Sequence, residues 1–231
     1  MKPRFSNQRS HALTLVEVLV VIAVLSILAI VLLLGDSEMK RETSHMNCFQ
    51  TLKCIGLAYK VWAGDHDDKY PMQVSVTNGG AMELIATGNV AACFQVMSNE
   101  LNTPKLLICP KDADQIAATN FTSDFNNSKI SYFVGLDANI SSPQVFLSGD
   151  DNFVLHGIPV ESGLTQFSTN SNVVWASGRH VSYNSHFWTP AHDKFIGNIG
   201  LADGSVQELT TDGLQKSLQQ TGFATNRLAI P

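Results

Sequence analysis

Residues 13–34 read LTLVEVLVVIAVLSILAIVLLL, and their only polar side chains are Thr14, Glu17 and Ser26. No Pro or Gly interrupts the run, and no face of a 3.6-residue helix is left polar. The pattern predicts an apolar helix of the roughly 20 residues needed to cross a bilayer core of about 30 Å. A buried core helix would be shorter and would show a polar side. The carboxylate of Glu17 is costly in such a segment and calls for a cationic partner at similar depth. No Lys or Arg lies within reach on the same helix. A cut just before Leu13 would create an α-amino group that could serve the Glu17 of a neighbouring copy.

Beyond residue 34 the pattern changes without an obvious break. Gly35 is tolerable inside a helix at about 1 kcal/mol relative to Ala. Cys48, Leu52, Ile55, Tyr59 and Trp62 then recur at alternating four- and three-residue spacing, one stripe of an amphipathic helix. The stretch GDHDDKYP, residues 64–71, ends it. From about Thr77 the sequence suggests short helical pieces in AMELIATG and ACFQVMSNEL. Strand-like runs follow in ISYFVGLDA, QVFLSGDD, NVVWAS and GNIGLADGSVQELT. The last carries Asp203-Gly204 between two apolar stretches, which predicts a hairpin with a type I′ turn. A long helix followed by such strands gives an α+β fold with an antiparallel sheet. Four segments result: 1–12 a leader, 13–34 a transmembrane helix, 35–64 its amphipathic continuation, and 65–231 a globular domain.

Charge orients the chain. The first twelve residues hold Lys2, Arg4 and Arg9, no acidic residue, and end on the small Ala12. Positive charge ahead of an apolar span keeps that end in the cytoplasm. An ordinary secretory signal places its small-residue cleavage site after the apolar run, and here the run ends in LLLGDSEMK with no such pattern. Loss of the three leader cations leaves twelve basic residues against twenty acidic ones, a net charge near −8. That argues against a nucleic-acid surface, which would want a basic stripe.

The order of basic leader, small residue, apolar run and early glutamate resembles the class III signal of type IV pilins and type II secretion pseudopilins. In that family a small residue, normally Gly, precedes the cut, and a hydrophobic one, normally Phe, opens the mature chain with Glu fifth. The resemblance implies that prepilin peptidase cuts between Ala12 and Leu13, that Leu13 is N-methylated, and that Glu17 is the assembly glutamate. Ala in place of Gly and Leu in place of Phe are the two departures. MNCFQTLKCIGLAYKVWAGDHDDKYP is similar to the segment after the anchor in prepilin-type proteins of Planctomycetes and Verrucomicrobia. ICPKD, residues 108–112, is similar to their Cys-Pro-x-Asp segment, and GNIGLADGSVQ to their C-terminal hairpin. His192 stands one residue further from Asp203 than is usual there, so no role is carried over to it.

The resemblance implies a pilin-like α+β protein. It is a single-pass bacterial inner-membrane precursor with a cytoplasmic N-terminus and a periplasmic domain, built into a periplasmic or extracellular filament. Its partners would be copies of itself, related pilin-like subunits, prepilin peptidase and the inner-membrane assembly machinery. The C-terminal similarity favours a type II secretion pseudopilin over a type IV pilus (minor) pilin. The rival class is a membrane-tethered extracytoplasmic ligand-binding or enzymatic domain, which would need neither Glu17 nor a cut before it.

Four cysteines, Cys48, Cys54, Cys93 and Cys109, sit in a chain expected to be exported. On one helix Cys48 and Cys54 would lie about 9 Å apart along its axis, beyond the roughly 7 Å limit for a bridge. Either pairing that joins the helix to the later cysteines stays open, as does the fully reduced state. The resemblance implies Cys48 with Cys109, both in the family-like segments, leaving Cys54 with Cys93.

No catalytic role is expected. There is no G-x-S-x-G elbow, and TNGGAM lacks the Lys and spacing of a P-loop. His180, His186 and His192 are evenly spaced but carry no H-E-x-x-H motif, so they read as loop histidines rather than a metal site. Residues 148–152 (SGDDN) and 65–68 (DHDD) could offer oxygen ligands to calcium, which major pseudopilins bind in a loop, but solvated turns account for both. No other cofactor is expected.

Overall fold

A computed structural model of the chain describes residues 14–110, 112, 115–176, 182–183 and 195–231, with side-chain environments for all of these except 31–47 and 182–183. The described residues of Ser44–Pro231 form one compact unit and the described residues before it another.

Helix α1 covers Leu15–Gly64 and runs through Gly35. Within the globular unit its stripe of Cys48, Leu52, Ile55, Tyr59 and Trp62 is buried, and Ala58 and Ala63 widen it. The acidic turn stops the helix. His66 stacks on Trp62 at 3.5 Å and sets its Nδ1 2.8 Å from the Trp62 carbonyl. Asp67 and Asp68 then take left-handed φ values of 55° and 57°, which ends the α-helical path. Three short helices follow: α2 (Met82–Ile85), α3 (Val90–Val96) and α4 (Ser98–Leu101). Asn89 caps α3 by accepting from the Ala92 N–H at 3.1 Å.

The strands are β1 (Tyr132–Gly135), β2 (Phe146–Asp150), β3 (Phe153–Leu155), β4 (Ile158–Pro159) and β5 (Gly163–Ser168). They continue with β6 (Val173–Trp175), β7 (Ser182–Tyr183), β8 (Phe195–Leu201), β9 (Val206–Thr210) and β10 (Thr225–Ile230). Helix α5 (Thr211–Gln220) lies between the last two. Among the described residues the main sheet has seven strands, ordered β5-β10-β1-β2-β8-β7, with β9 also pairing β8. A second sheet is ordered β4-β3-β6, and the pairings in both are antiparallel.

Both faces of the main sheet are covered. Tyr132, Val134, Leu147 and Ala229 join the α1 stripe and the short helices in one core. Phe133, Phe146, Ile199, Leu228 and Ile230 join Phe153, Trp175 and the α5 residues Leu214 and Leu218 in the other. Successive residues of β1 therefore enter different cores. That is why its sequence is an unbroken apolar run and not an alternating one. Gly197 makes room for this second core, because a Cβ there would meet the Trp175 ring at 2.6 Å.

The hairpin of β8 and β9 forms, but its turn differs from type I′. Gly204 N–H donates to the Leu201 carbonyl at 2.8 Å, and Gly204, not Asp203, takes the left-handed conformation, with φ of 80°. This is the three-residue loop ending in a left-handed glycine. Tertiary contact selects it. Gly204 abuts α1 at Gly56, where a Cβ would lie 3.4 Å from Gly204 Cα, and Tyr70 Oη donates to the Ala202 carbonyl at 2.5 Å.

Cys48 and Cys109 are joined in a disulfide with Cα atoms 5.6 Å apart. The expected Cys54–Cys93 bridge does not form. Cys54 is exposed, while Cys93 is buried with its Sγ 3.4 Å from Tyr59 Oη. Tyr59 is five residues on from Cys54, about 140° round the helix at 3.6 residues per turn, so the two thiols lie on different sides of α1. Burial pushes the Cys93 thiol up to about 12, leaving it an inert core side chain.

The Cys48–Cys109 bridge closes a separation of 61 residues, for which the chain-entropy model gives about 4 kcal/mol. The double variant Cys48→Ala/Cys109→Ala is expected to lower the urea midpoint by the equivalent of about 2–4 kcal/mol, and Cys54→Ala to leave it unchanged. Equal midpoints for wild type and the double variant would show that the bridge adds nothing.

Tyr70 predicts an alkaline limit. Burial, and then the charge of Asp203, push its phenol from 10.0 up to about 12. Burial likewise raises Tyr59 and Tyr132. The folded unit keeps these phenols protonated where the unfolded chain would ionise them. Stability is therefore unaffected below pH 10 and falls as pH rises from 10 towards 12. Tyrosinate absorbance should rise together with loss of circular dichroism, and Tyr70→Phe should reduce the slope. Full ionisation with the fold intact would contradict this.

Candidate assembly site on the first half of the long helix

Every described side chain from residue 14 to residue 30 is exposed. The large apolar ones, including Leu15, Ile22 and Ile27, lie between 49 % and 76 % exposed. Apolar side chains thus surround this stretch of α1, with no polar stripe to face water. A helix that is apolar all round belongs against lipid or other helices. At 1.5 Å per residue, residues 15–30 rise about 24 Å. Among the described residues no helix is long and apolar enough to cross a membrane. The apolar run in the sequence continues to Leu34, and the side chains of residues 31–34 lie outside the described set.

At the start of this stretch Thr14 and Glu17 form a reciprocal cap. The Thr14 N–H and the Thr14 hydroxyl both donate to Glu17 Oε2 at 2.8 Å, and the Glu17 N–H donates to Thr14 Oγ1 at 3.3 Å. This is the capping box, in which N-cap and N3 side chains satisfy each other's backbone donors. The carboxylate also sits at the positive end of the helix dipole. In an apolar medium these N–H groups would otherwise be left unpaired. Hydropathy and charge do not mark Thr14 as a site residue, but Thr-x-x-Glu before an apolar run is the sequence signature of its cap. Ser26 is satisfied within its own helix, donating to the Ile22 carbonyl at 2.7 Å.

Ala12, Leu13, His180, His186 and His192 lie outside the described residues. Among the described residues, no group of three or more His, Cys, Asp or Glu side chains comes together to hold a metal ion. Of the acidic stretches, residues 65–68 form the turn after α1. Asp150, in the other, is buried, and its Oδ2 accepts from the backbone and side chain of Asn198 at 2.8 and 3.0 Å.

Loss of the cap has a local cost. Thr14→Ala is expected to remove about 1 kcal/mol from the first turn, read as roughly fivefold faster hydrogen exchange of amides 15–17 in detergent-solubilised full-length protein. Thr14→Ser should restore protection. Unchanged exchange in Thr14→Ala would mean the hydroxyl contributes nothing there.

No curated protein and no solved structure matches the chain. Residues 7–33 match the family model of the prokaryotic N-terminal methylation motif, the stretch that holds the Ala12/Leu13 junction, Thr14, Glu17 and most of the apolar run. The match lies at the N-terminus alone, and what it identifies there is a prepilin-type, type IV pilin-like methylation signal.

Proposed function

We propose that the chain is a non-enzymatic structural subunit of a type II secretion pseudopilus-like filament. The methylation motif at residues 7–33 carries this reading. The all-round apolar surface of α1 beside a single early carboxylate supports it. The precursor spans the inner membrane once through residues 13–34, with its basic leader in the cytoplasm and the globular unit outside. Prepilin peptidase cuts between Ala12 and Leu13, and Leu13 is N-methylated. Apolar helices of neighbouring copies and related subunits then pack side by side, and each Leu13 ammonium meets a neighbour's Glu17. Assembly of this kind calls for no metal or organic cofactor. The preference for a pseudopilus over a pilus rests on the resemblance of the C-terminal hairpin.

The capping box refines the role of Glu17. Both Thr14 donors fall on Oε2, which leaves Oε1 as the oxygen offered to a neighbour. Local capping and intermolecular pairing can therefore coexist on one carboxylate.

N-terminal mass spectrometry of protein from the native host should find a mature chain beginning at N-methyl-Leu13, and an intact Met1 would favour a plain tether. Glu17→Gln separates the two roles of the side chain, because glutamine also serves in a capping box but carries no charge. Membrane insertion and cleavage should survive, while filament yield in sheared fractions should fall by orders of magnitude, since an unpaired ammonium would enter the apolar core. Ser26→Ala should assemble normally. Wild-type yield from Glu17→Gln would refute the pairing.

A further inference from the structure

The globular unit holds three Asn-x-Ser/Thr triplets, at Asn120, Asn126 and Asn139. Such a triplet on an exported surface loop is an acceptor for N-linked glycan. Asn126 and Asn139 also have an aspartate two positions earlier, Asp124 and Asp137, the extended acceptor form that bacterial oligosaccharyltransferases read. We infer that Asn126 is an N-glycosylation site of the exported domain. The inference rests on the export proposed above.

The structure separates the three candidates. Asn126 is exposed in the loop that leads into β1. Its Oδ1 accepts from the Ser128 N–H at 2.9 Å and from the Ser128 hydroxyl at 2.6 Å. The hydroxyl that the triplet requires is thus already on the acceptor carboxamide. The reacting atom, Nδ2, makes one long contact, 3.5 Å to the Asp124 carbonyl. The Thr119 N–H holds the Asp124 carboxyl below its ordinary range, so the residue at the −2 position is an anion. Its partners, the Thr119 N–H and hydroxyl, are exposed, so a transferase cation can replace them.

Asn139 is less accessible on two of these points, the acceptor nitrogen and the aspartate before it. It is only half exposed, and its Nδ2 donates to the Asp137 carbonyl at 3.1 Å. Asp137 is engaged by Arg227, accepting from its backbone N–H at 2.8 Å and forming an ion pair with its guanidinium. That pair ties the loop after β1 to β10, so using Asp137 for recognition would disturb the main sheet. Asn120 is exposed, but Ala118 stands where the acidic residue should be, and its Nδ2 is held by Ser123 Oγ at 3.0 Å.

The transfer balances without an oxidant or reductant. The donor class is a polyisoprenyl-pyrophosphate-linked oligosaccharide. Asn126 Nδ2 bonds to the anomeric carbon, the carbon–oxygen bond to pyrophosphate breaks, and the lipid pyrophosphate leaves with the bonding pair. One Nδ2 proton passes to a base on the transferase. A glycan here would project from the loop beside α3, since the adjacent Asn127 accepts from the Ala91 N–H at 3.0 Å and donates to the Gly88 carbonyl at 2.8 Å.

The test is peptide mass spectrometry of full-length protein from its native host, with protease accessibility of the globular unit on intact spheroplasts measured in parallel. The peptide containing residue 126 should carry a glycan mass in wild type, in Ser128→Thr and in Asn139→Gln. That mass should be lost in Asn126→Gln, Ser128→Ala and Asp124→Ala, with circular dichroism confirming that each variant is folded. An accessible domain with bare Asn126, or a glycan that persists in Asn126→Gln, would overturn the inference and leave the filament reading standing. A domain protected in the cytoplasm would overturn both.

Discussion

Burial of one stripe of α1 sets the geometry of the globular unit. Cys48, Leu52, Ile55, Tyr59 and Trp62 present a continuous apolar surface, and every later element must cover it or be covered in turn. The short helices and one face of the main sheet close over that stripe. The opposite face of the sheet is still apolar and needs its own cover, which α5 and the small sheet supply. Tyr70 and Gly204 fix where the hairpin lands on the helix, one through its hydroxyl and the other through its lack of a side chain. The disulfide from Cys48 to Cys109 fastens the same helix surface to the loop before β1.

The first half of α1 obeys the opposite rule. Its described side chains, from residue 14 to residue 30, are exposed, so this apolar surface is a demand on the surroundings. The single carboxylate makes that demand specific. Lipid satisfies leucine and valine, but it offers nothing to Glu17. Thr14 meets part of the need from within the chain, through two hydrogen bonds to one oxygen. What remains is a charge, and only a cation can answer it. In the filament proposed above, the N-terminus of a neighbouring copy would supply that cation.

Three polar side chains inside the globular unit follow the same logic of satisfaction by nearby groups. Asp150 is placed against the backbone and side chain of Asn198 between β2 and β8, and Ser148 donates to the Phe133 carbonyl at 2.8 Å. Asn127 spans two backbone groups at the start of α3 and so holds an otherwise irregular loop in place. Residues 115–131 therefore present Asn126 from an ordered support.

The sequence by itself determined the features that rest on local periodicity. The apolar run, the stripe that follows it, the acidic stop at residues 64–71 and the Asp-Gly hairpin are set by neighbours in the chain, and each was legible as such. The capping box was equally local, and Thr-x-x-Glu announces it. The two elements after the Asp-Gly hairpin, α5 and β10, were not legible. In the stretch TNRLAI of β10, only Leu228, Ala229 and Ile230 are apolar, yet β10 lies between β5 and β1 in the main sheet. Asn226 is buried there only because the partner strands exclude water. The turn type at Gly204 was decided by the helix beneath it, and the partner of Cys48 by which face of α1 each cysteine occupies. These outcomes depend on contacts between residues far apart in the chain. A one-dimensional pattern carries the period of each element but not the surface that the element will meet.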